Sequence, residues 1–329
     1  MSIADRLARA PLFSHFPRPQ LEELSGLVEE RRVPAESFVM RQGDTSRDAF
    51  LIEKGGVRIQ RSTPYGNYAL AVLASGDFFG EASFVDDAER SGDAWASSEV
   101  LLLAFTPERV QPALDDDPRL ATAFYWTCWR SLSAKLRRTN DKLARFFASG
   151  APAAARRGGT ERPATGEFRV DLRTKRDLFT EQRLSSLEIN LLSTLSKERQ
   201  MRSGETLFRE GDPGDAMYIV LQGRVRISKQ IPGAGEEALA ILERGDYFGE
   251  MALIDRQPRS ADAVAHDGEA VVLSIPKMVV EQLLDMHKIS SVRLLRILCG
   301  LVAQRLREID DKLVGWYILS GGSDAPEVR

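Results

Sequence analysis

The chain has 329 residues, which predicts two domains at a usual size of about 150 residues each. It is 43% hydrophobic and 28% charged, a composition typical of globular proteins that excludes the collagen-like and disordered classes. A net charge of −3 gives no broad electrostatic footprint for nucleic acid, and no segment has the eighteen or so consecutive apolar residues of a membrane span.

Each half of the chain shows the same order of predicted elements. A short helical opening comes first, and the N-terminal stretch carries no secretory signal, so we expect a cytoplasmic location. Strand-like runs with glycine turns follow, in AFLIEKGGVRIQR from Ala49 and in MYIVLQGRVRISK from Met217, and long amphipathic helices close each half. Short strands at about ten-residue spacing favour a small barrel or jelly roll.

The two halves are copies of one another. SGDFFGEASFVDDAERSGDAWA in the first half aligns without a gap with RGDYFGEMALIDRQPRSADAVA in the second, at a spacing of 169 residues. LRRTNDKLARFFA from Leu136 aligns with LREIDDKLVGWYI from Leu306, so the copies extend through their closing helices. A repeat of this size indicates a duplicated domain. The predicted boundaries are domain 1 at 1–147, a linker at 148–167, domain 2 at 168–319 and a tail at 320–329.

The closing helix of the second half carries an apolar stripe at helical spacing. Its members are Leu295, Leu298, Val302, Leu306, Ile309 and Leu313. The stripe packs either on the barrel of its own copy or also against another copy or a partner, and the second arrangement would allow a homodimer. Only two cysteines and three histidines occur, too far apart in sequence to indicate a metal site.

The segment FGEMALIDRQPRSADA, residues 248–263, carries the candidate binding chemistry. Gly249 permits a backbone conformation and a close approach that a side chain would prevent. Glu250 can accept hydrogen bonds from hydroxyls, and Arg259 presents a planar fork suited to a phosphate. A helical turn beginning at Met251 would add free amides that attract an anion, and Ser260 adds a donor. The pattern therefore indicates a small ligand with both hydroxyls and a phosphate.

With these residues in this order, the chain resembles the cyclic nucleotide-binding domains of bacterial catabolite activators and of cyclic-AMP-dependent protein kinase regulatory subunits. The resemblance covers nearly all of both halves. It implies a mainly β fold with helices: two tandem eight-stranded β-rolls, each with N-terminal and C-terminal helices. It also implies a phosphate-binding cassette in which Gly249 and Glu250 meet the ribose 2′-hydroxyl and Arg259 pairs with the cyclic phosphate. The remaining implied contacts are Ala252, Ser260 and Ala261.

The first copy departs further from this pattern. Its implied binding residues are Gly80, Glu81, Ser83, Arg90, Ser91 and Gly92. Glu89 stands where the second copy has Pro258, which removes a restraint on the loop and raises the entropic cost of ordering it. Acidic side chains lower the local potential for a phosphate, and they are Asp86, Asp87, Glu89 and Asp93. We therefore predict a weaker pocket in the first copy, and whether it binds ligand at all stays open.

The resemblance favours cyclic AMP over cyclic GMP, with a cyclic dinucleotide as a further candidate. Aromatic side chains at the two helix ends either stack on the base or pack the helices, the second being the plainer interpretation; they are Phe146, Phe147, Trp316 and Tyr317. The linker residues Arg156 and Arg157 weakly resemble the inhibitory sequence of kinase regulatory subunits, although a solvated basic linker explains them more simply.

Two functions fit the sequence. The first is a receptor that rearranges its helices on binding nucleotide and so controls an unidentified protein effector. The second is a constitutive scaffold whose pockets have lost their ligand. Because too few residues follow Lys312 for a helix-turn-helix module, we expect no DNA binding. Since the chain has neither a kinase glycine loop nor a nucleophile elbow, we also expect no enzyme activity.

Overall fold

The computed structural model describes residues 1–148, 171–181, 186–231, 235–285 and 289–320. The chain forms two compact units: unit 1 contains Met1–Thr139 and Leu295–Arg329, and unit 2 contains Asn140–Leu294. Each unit therefore holds the β-roll of one sequence copy and the closing end of the other copy's last helix. The domain boundaries predicted from the repeat stay a prediction, and nearly all of the predicted linker and tail lies outside the described residues.

Unit 1 begins with two short helices, α1 (Ile3–Arg9) and α2 (Arg18–Ser25). Ser2 caps α1 by accepting a hydrogen bond from the Asp5 amide, while the Asp5 carboxylate accepts one from the Ser2 amide. The strands of the roll follow: β1 (Glu29–Val33), β2 (Ser37–Met40), β3 (Ala49–Lys54), β4 (Val57–Thr63), β5 (Gly66–Leu73), β6 (Phe78–Phe79), β7 (Asp93–Ala96) and β8 (Val100–Phe105). Helix α3 (Glu81–Asp86) lies between β6 and β7, and α4 (Pro107–Asp116) and α5 (Pro118–Ala148) follow the roll.

The eight strands of unit 1 form two antiparallel sheets, which confirms the predicted β-roll. Their orders are β1-β8-β3-β6 and β2-β7-β4-β5. Apolar side chains from both sheets meet in one core that includes Phe50, Ile52, Val57, Leu73 and Phe79. Burial of this apolar surface is the main stabilising contribution to the roll, and it fixes the β6–β7 connection that carries the first candidate site.

Unit 2 repeats this roll with fewer, longer strands. Its elements are α6 (Leu172–Glu181), α7 (Ser186–Leu195), β9 (Lys197–Met201), β10 (Thr206–Phe208), β11 (Ala216–Ile231), β12 (Gly235–Leu242), β13 (Tyr247–Phe248), α8 (Met251–Asp255), β14 (Asp262–Pro276) and α9 (Lys277–Asp285). Strand β11 covers the positions of β3 and β4, and β14 those of β7 and β8, so six described strands trace the same antiparallel roll. The core residues also correspond, with Val220, Val225, Leu242 and Phe248 among them.

The closing helix of the second copy, α10 (Ile289–Leu319), is part of unit 1 from Leu295 onward. All six members of its apolar stripe are at most 9% exposed. The Cys299 thiol lies 3.2 Å from the Tyr125 carbonyl oxygen, which places α10 beside α5 within this unit. The apolar stripe therefore belongs to the same unit as the roll of the first copy.

Candidate functional site

The second cassette, which we define as residues 249–261, connects β13 to β14. Gly249 has a φ of 74°, in the left-handed region that glycine adopts without strain, as its predicted role requires. Glu250 follows at 2% exposure, and the predicted helical turn is present as α8. Ala252 and Ala261 are buried, whereas Ser260 is half-buried and its hydroxyl lies 3.8 Å from the Met251 sulfur.

Arg259 is the buried cation of this cassette, with only 4% of its surface exposed. Its Nη1 donates to the Gly249 carbonyl at 2.6 Å and its Nη2 to the Ala216 carbonyl at 2.8 Å. The guanidinium carbon lies 4.3 Å from the centre of the Phe208 ring, a cation–π contact. Burial lowers the pKa of Arg259, while nearby groups that include Glu250 act in the opposite direction. The Glu250 carboxylate is therefore close enough to the Arg259 guanidinium to interact with it electrostatically.

The Nε of Arg259 is buried and has no hydrogen-bond partner among the described residues. A buried charged donor without an acceptor is costly, since its lost hydration is not replaced. The loop between β10 and β11 explains why no protein group fills this place. A Cβ at Gly214 would lie 2.2 Å from the Ala252 Cβ and 3.4 Å from this Nε. Glycine therefore lets the loop backbone pack directly on the cassette while offering Arg259 no side-chain acceptor.

The first cassette, residues 80–92, has the same backbone frame. Gly80 has a φ of 80°, and Arg90 is 3% exposed. The Arg90 amide donates to the Asp44 carbonyl at 2.9 Å, as the Arg259 amide does to Asp212 at 2.8 Å. Ser91 is half-buried, and Gly92 lies so close to the Gln60 carbonyl that a Cβ there would be 2.6 Å from its oxygen. The alanine of the second copy would not fit at this position.

Arg90 differs from Arg259 in having an acceptor for each nitrogen. Nη1 donates to the Gly80 carbonyl at 2.9 Å and Nη2 to the Asp48 carbonyl at 2.6 Å. Nε donates to the Ser46 hydroxyl at 3.4 Å, a long bond from the residue that aligns with Gly214. Burial lowers the pKa of Arg90 to about 10, so the guanidinium remains charged at neutral pH.

Glu81, the predicted ribose contact of the first copy, is 1% exposed and already bonded within unit 1. Its carboxylate accepts hydrogen bonds from the Ser131 hydroxyl at 2.7 Å and from the Lys135 ammonium at 2.5 Å. Both donors lie on α5. A hydroxyl-bearing ligand would therefore share this carboxylate with the helix that follows the roll.

Three of the four acidic residues predicted to weaken the first pocket carry partners. Asp87 pairs with Arg47, and Asp93 accepts hydrogen bonds from the Gln42 amide at 2.8 Å and the Ser62 hydroxyl at 2.6 Å. Asp86 forms a two-oxygen pair with Arg307, at 3.0 Å to each carboxylate oxygen. Arginines compensate the charges of Asp86 and Asp87, and neutral donors stabilise the Asp93 carboxylate, so acidity disfavours a phosphate here less than the sequence alone indicates.

Five residues at the two cassettes are not predicted from the sequence: Ser46, Gly214, Ser131, Lys135 and Arg307. The alignment of TSRD with PGDA in the two copies contained the signal for Ser46 and Gly214, because a serine faces a glycine at that position. The structure describes the contacts of one of the aromatic residues predicted at the helix ends. Tyr317 stacks on Tyr68 of β5 at a centroid distance of 6.2 Å, within unit 1, which is the packing interpretation. The side chain of Phe147 and the residues Arg156 and Arg157 lie outside the described residues.

No helix among the described residues combines the length and apolar character needed to cross a membrane. Within the same residues, no three histidine, cysteine or acidic side chains gather as metal ligands.

Both copies of the repeat match a known family. The cyclic nucleotide-binding domain model matches residues 30–117 and 198–287, together more than half of the chain. A cGMP-dependent protein kinase of Caenorhabditis elegans is 22% identical over 84% of this chain and 29% of its own length. The cyclic AMP receptor protein of Thermus thermophilus is 36% identical over 40% of this chain and 58% of its own length. The chain thus spans less than two thirds of these curated relatives.

A solved structure, the regulatory domain of Toxoplasma gondii PKA with cAMP, is 17% identical, with 96% of each chain covered and a TM-score of 0.32. The two family matches cover β1–β8 in unit 1 and β9–β14 in unit 2 except for the first residue of β1 and of β9, and each match includes a complete cassette. The chain therefore belongs to the cyclic nucleotide-binding domain family, of which it carries two copies in tandem.

Proposed function

We propose that this protein is a receptor for a cyclic nucleotide, cyclic AMP in the first place, and that the second cassette is its stronger site. The observation that carries this proposal is the Nε of Arg259, which is buried without an acceptor among the described residues. A cyclic phosphate would supply the missing acceptor and the opposite charge in one group. Glu250, which is buried and directly follows Gly249 in the sequence, would accept a hydrogen bond from the ribose hydroxyl.

Calorimetric titration of the full chain with cyclic AMP tests this assignment. Arg259→Glu replaces the cation by an anion and should remove the tighter of the two binding events. Even the simple loss of its charge-assisted bonds costs about 1.5–3 kcal/mol, roughly ten- to more than a hundredfold in affinity. Arg256→Glu is the matched control, because Arg256 belongs to the same segment and undergoes the same charge change but is exposed. An unchanged titration for Arg259→Glu would contradict the assignment.

Parallel titrations with cyclic GMP and with a cyclic dinucleotide identify the ligand. We expect cyclic AMP to bind most tightly at the second cassette. Tighter binding of cyclic GMP or of the cyclic dinucleotide would change the assigned ligand, but Arg259 would still be the residue that binds its phosphate. Failure of all three to bind would instead favour the scaffold function, in which the rolls serve only assembly.

The receptor would act through its helices. Ligand would draw α3 or α8 inward, with the buried side chains of Phe84 and Leu253 moving along, and the closing helices would then expose or cover a surface for a protein effector. Such control requires the ligand to prefer one helix arrangement. Hydrogen exchange of α5 and α10 with and without cyclic AMP measures it, and binding without any change in their protection would contradict the switch.

The same proposal describes a regulator acting on a separate effector, without DNA binding or catalysis of its own. A homodimer would have to use a surface other than the apolar stripe of α10, because that stripe is buried within unit 1. Pull-down of cell lysate with and without cyclic AMP would identify an effector whose retention depends on the ligand.

A further inference from the structure

We propose that Arg307, a residue of the second sequence copy, is a positioning residue for the first cassette. This inference rests on the proposed function, since it concerns ligand binding at that cassette. Arg307 lies on the part of α10 that belongs to unit 1, so its contacts with the first cassette lie within one unit. We call Arg307 with its partners Ser83, Asp86 and Glu89 the Arg307 clasp.

The Arg307 clasp uses all three nitrogens of the guanidinium. Nη2 lies 3.0 Å from both carboxylate oxygens of Asp86, and Nε lies 3.3 Å from one of them. Nη1 donates to the Glu89 carbonyl at 3.0 Å, and Nη2 lies 3.5 Å from the Ser83 hydroxyl. The Arg307 and Asp86 side chains are only 18% and 17% exposed, so solvent screens the pair less than it would a surface pair.

The clasp contacts positions where the first cassette departs from the second. Ser83 replaces Ala252, and Glu89 replaces Pro258. Proline restrains a loop through its fixed φ, and a hydrogen bond to the carbonyl of Glu89 restrains the same point from outside. The Ser83 hydroxyl also donates to that carbonyl, at 3.4 Å. Arg307 therefore restrains the first cassette at the position where it lacks the proline.

The clasp also changes the electrostatics of the first pocket. Without Arg307, the half-buried carboxylate of Asp86 would lose its ion pair and keep only the hydrogen bond from the Ala88 amide. Arg307 is itself close enough to add to the positive potential around Arg90, since after burial it is among the effects that lower the pKa of Arg90. Ordering of the loop and compensation of Asp86 both favour an anion, so the loss of Arg307 should weaken binding on both counts.

Two further contacts hold α10 against this roll. Arg61 of β4 pairs with Asp311, and Tyr68 of β5 stacks on Tyr317 at a centroid distance of 6.2 Å. Since these contacts fix the helix independently, replacing Arg307 should remove the clasp without releasing α10. The variant therefore tests positioning of the cassette separately from packing of the helix.

The first experiment is calorimetric titration with cyclic AMP in an Arg259→Glu background, where the remaining binding reports on the first cassette. We expect Arg307→Ala to weaken this binding by about tenfold and Arg307→Lys, which keeps the charge but not the fork, to weaken it less. Gln304→Ala, one turn earlier on α10 and exposed, should leave it unchanged. Equal cyclic AMP affinities of the Arg259→Glu variant and of the double variant that also carries Arg307→Ala would overturn the proposal.

The second experiment needs no ligand. Hydrogen exchange of the unliganded full chain should show faster exchange of the amides of residues 83–90 in Arg307→Ala, with the midpoint of thermal unfolding little changed. Unchanged exchange there would overturn the clasp, and a global increase would show a structural role only. If the wild-type protein binds no cyclic nucleotide, the proposed function fails, while this measurement still decides whether Arg307 orders the cassette.

Discussion

The two cassettes share a backbone frame but satisfy their buried arginines differently. Arg90 has an acceptor for every nitrogen, whereas the Nε of Arg259 has none among the described residues. The difference traces to one aligned position, Ser46 in the first copy and Gly214 in the second. A site whose cation is already satisfied by the protein gains less from a phosphate than a site that lacks an acceptor. The two copies thus share a fold but differ in whether the protein itself supplies a hydrogen-bond acceptor for the Nε of the buried arginine.

The two cassette loops also differ at one position that restrains the backbone. The second cassette has Pro258 in its loop, whereas the first has Glu89 there, and the Glu89 carbonyl accepts a hydrogen bond from Arg307 of α10. If Arg307 positions this loop as we propose, binding at the first cassette depends in part on a segment from the other sequence copy.

The two cassette glycines give the largest expected effects. At Gly80 an added Cβ would lie 2.6 Å from the backbone carbonyl oxygen of Asp48, and at Gly249 it would lie 2.7 Å from the side-chain Nη1 of Arg259. A backbone group cannot move aside easily, but the end of a side chain can. We expect Gly80→Ala to lower the free energy of unfolding of unit 1 by about 2–3 kcal/mol, from the left-handed φ and the overlap together.

Gly249→Ala should cost less stability, about 1–2 kcal/mol, but should weaken cyclic AMP binding at the second cassette by roughly tenfold, because Arg259 is displaced. All four tryptophans lie in unit 1, so urea unfolding followed by tryptophan fluorescence reports on that unit. Gly80→Ala should shift this transition and Gly249→Ala should not. The reverse pattern would contradict the assignment of the two overlaps.

Replacing Ser46 tests the difference between the arginines directly. Ser46→Ala removes the acceptor of the Arg90 Nε and makes the first cassette resemble the second in this respect. Since the bond is long, at 3.4 Å, we expect cyclic AMP affinity at the first cassette to rise by no more than about threefold. Calorimetry in the Arg259→Glu background measures it. A fall in affinity would show that the Ser46 hydroxyl contacts the ligand instead of competing with it.

The repeat made much of the architecture predictable. Alternating strands, glycine turns and the resemblance of the cassette indicated two β-rolls, and the positive φ angles of Gly80 and Gly249 follow from the same residues. The assignment of α10 to unit 1 was not predictable, because the amphipathic stripe from Leu295 to Leu313 specifies an apolar partner without specifying which copy supplies it. Arg307 was missed for the same reason. Its charge lies off the stripe, where a solvated residue is the ordinary expectation.

The smallest expected effect compares the ion pairs by which each roll holds the end of a closing helix. Arg61 pairs with Asp311 in unit 1, and at the aligned position Lys229 pairs with Asp141 at 2.7 Å and with Glu210 at 2.9 Å in unit 2. Burial opposes the charge of Lys229, but hydrogen bonds to the two carboxylates outweigh it and raise its pKa above the ordinary 10.5. A raised folded-state pKa stabilises the protein fully below the unfolded pKa, and this contribution is lost as pH rises through the folded value.

Lys229→Met should therefore have a lower free energy of unfolding than the wild type, and this difference should shrink only above pH 10.5, the ordinary lysine value. Unfolding followed by circular dichroism at several pH values measures the difference. Arg61→Met is the matched control in the other unit. It removes an ion pair that contains no lysine, so its stability difference from the wild type should not follow the pH dependence expected for Lys229→Met. Parallel pH dependence of the two variants would mean that the closing helices are held by packing alone. A change confined to Lys229→Met would show that only the second roll holds its helix end through a group that titrates.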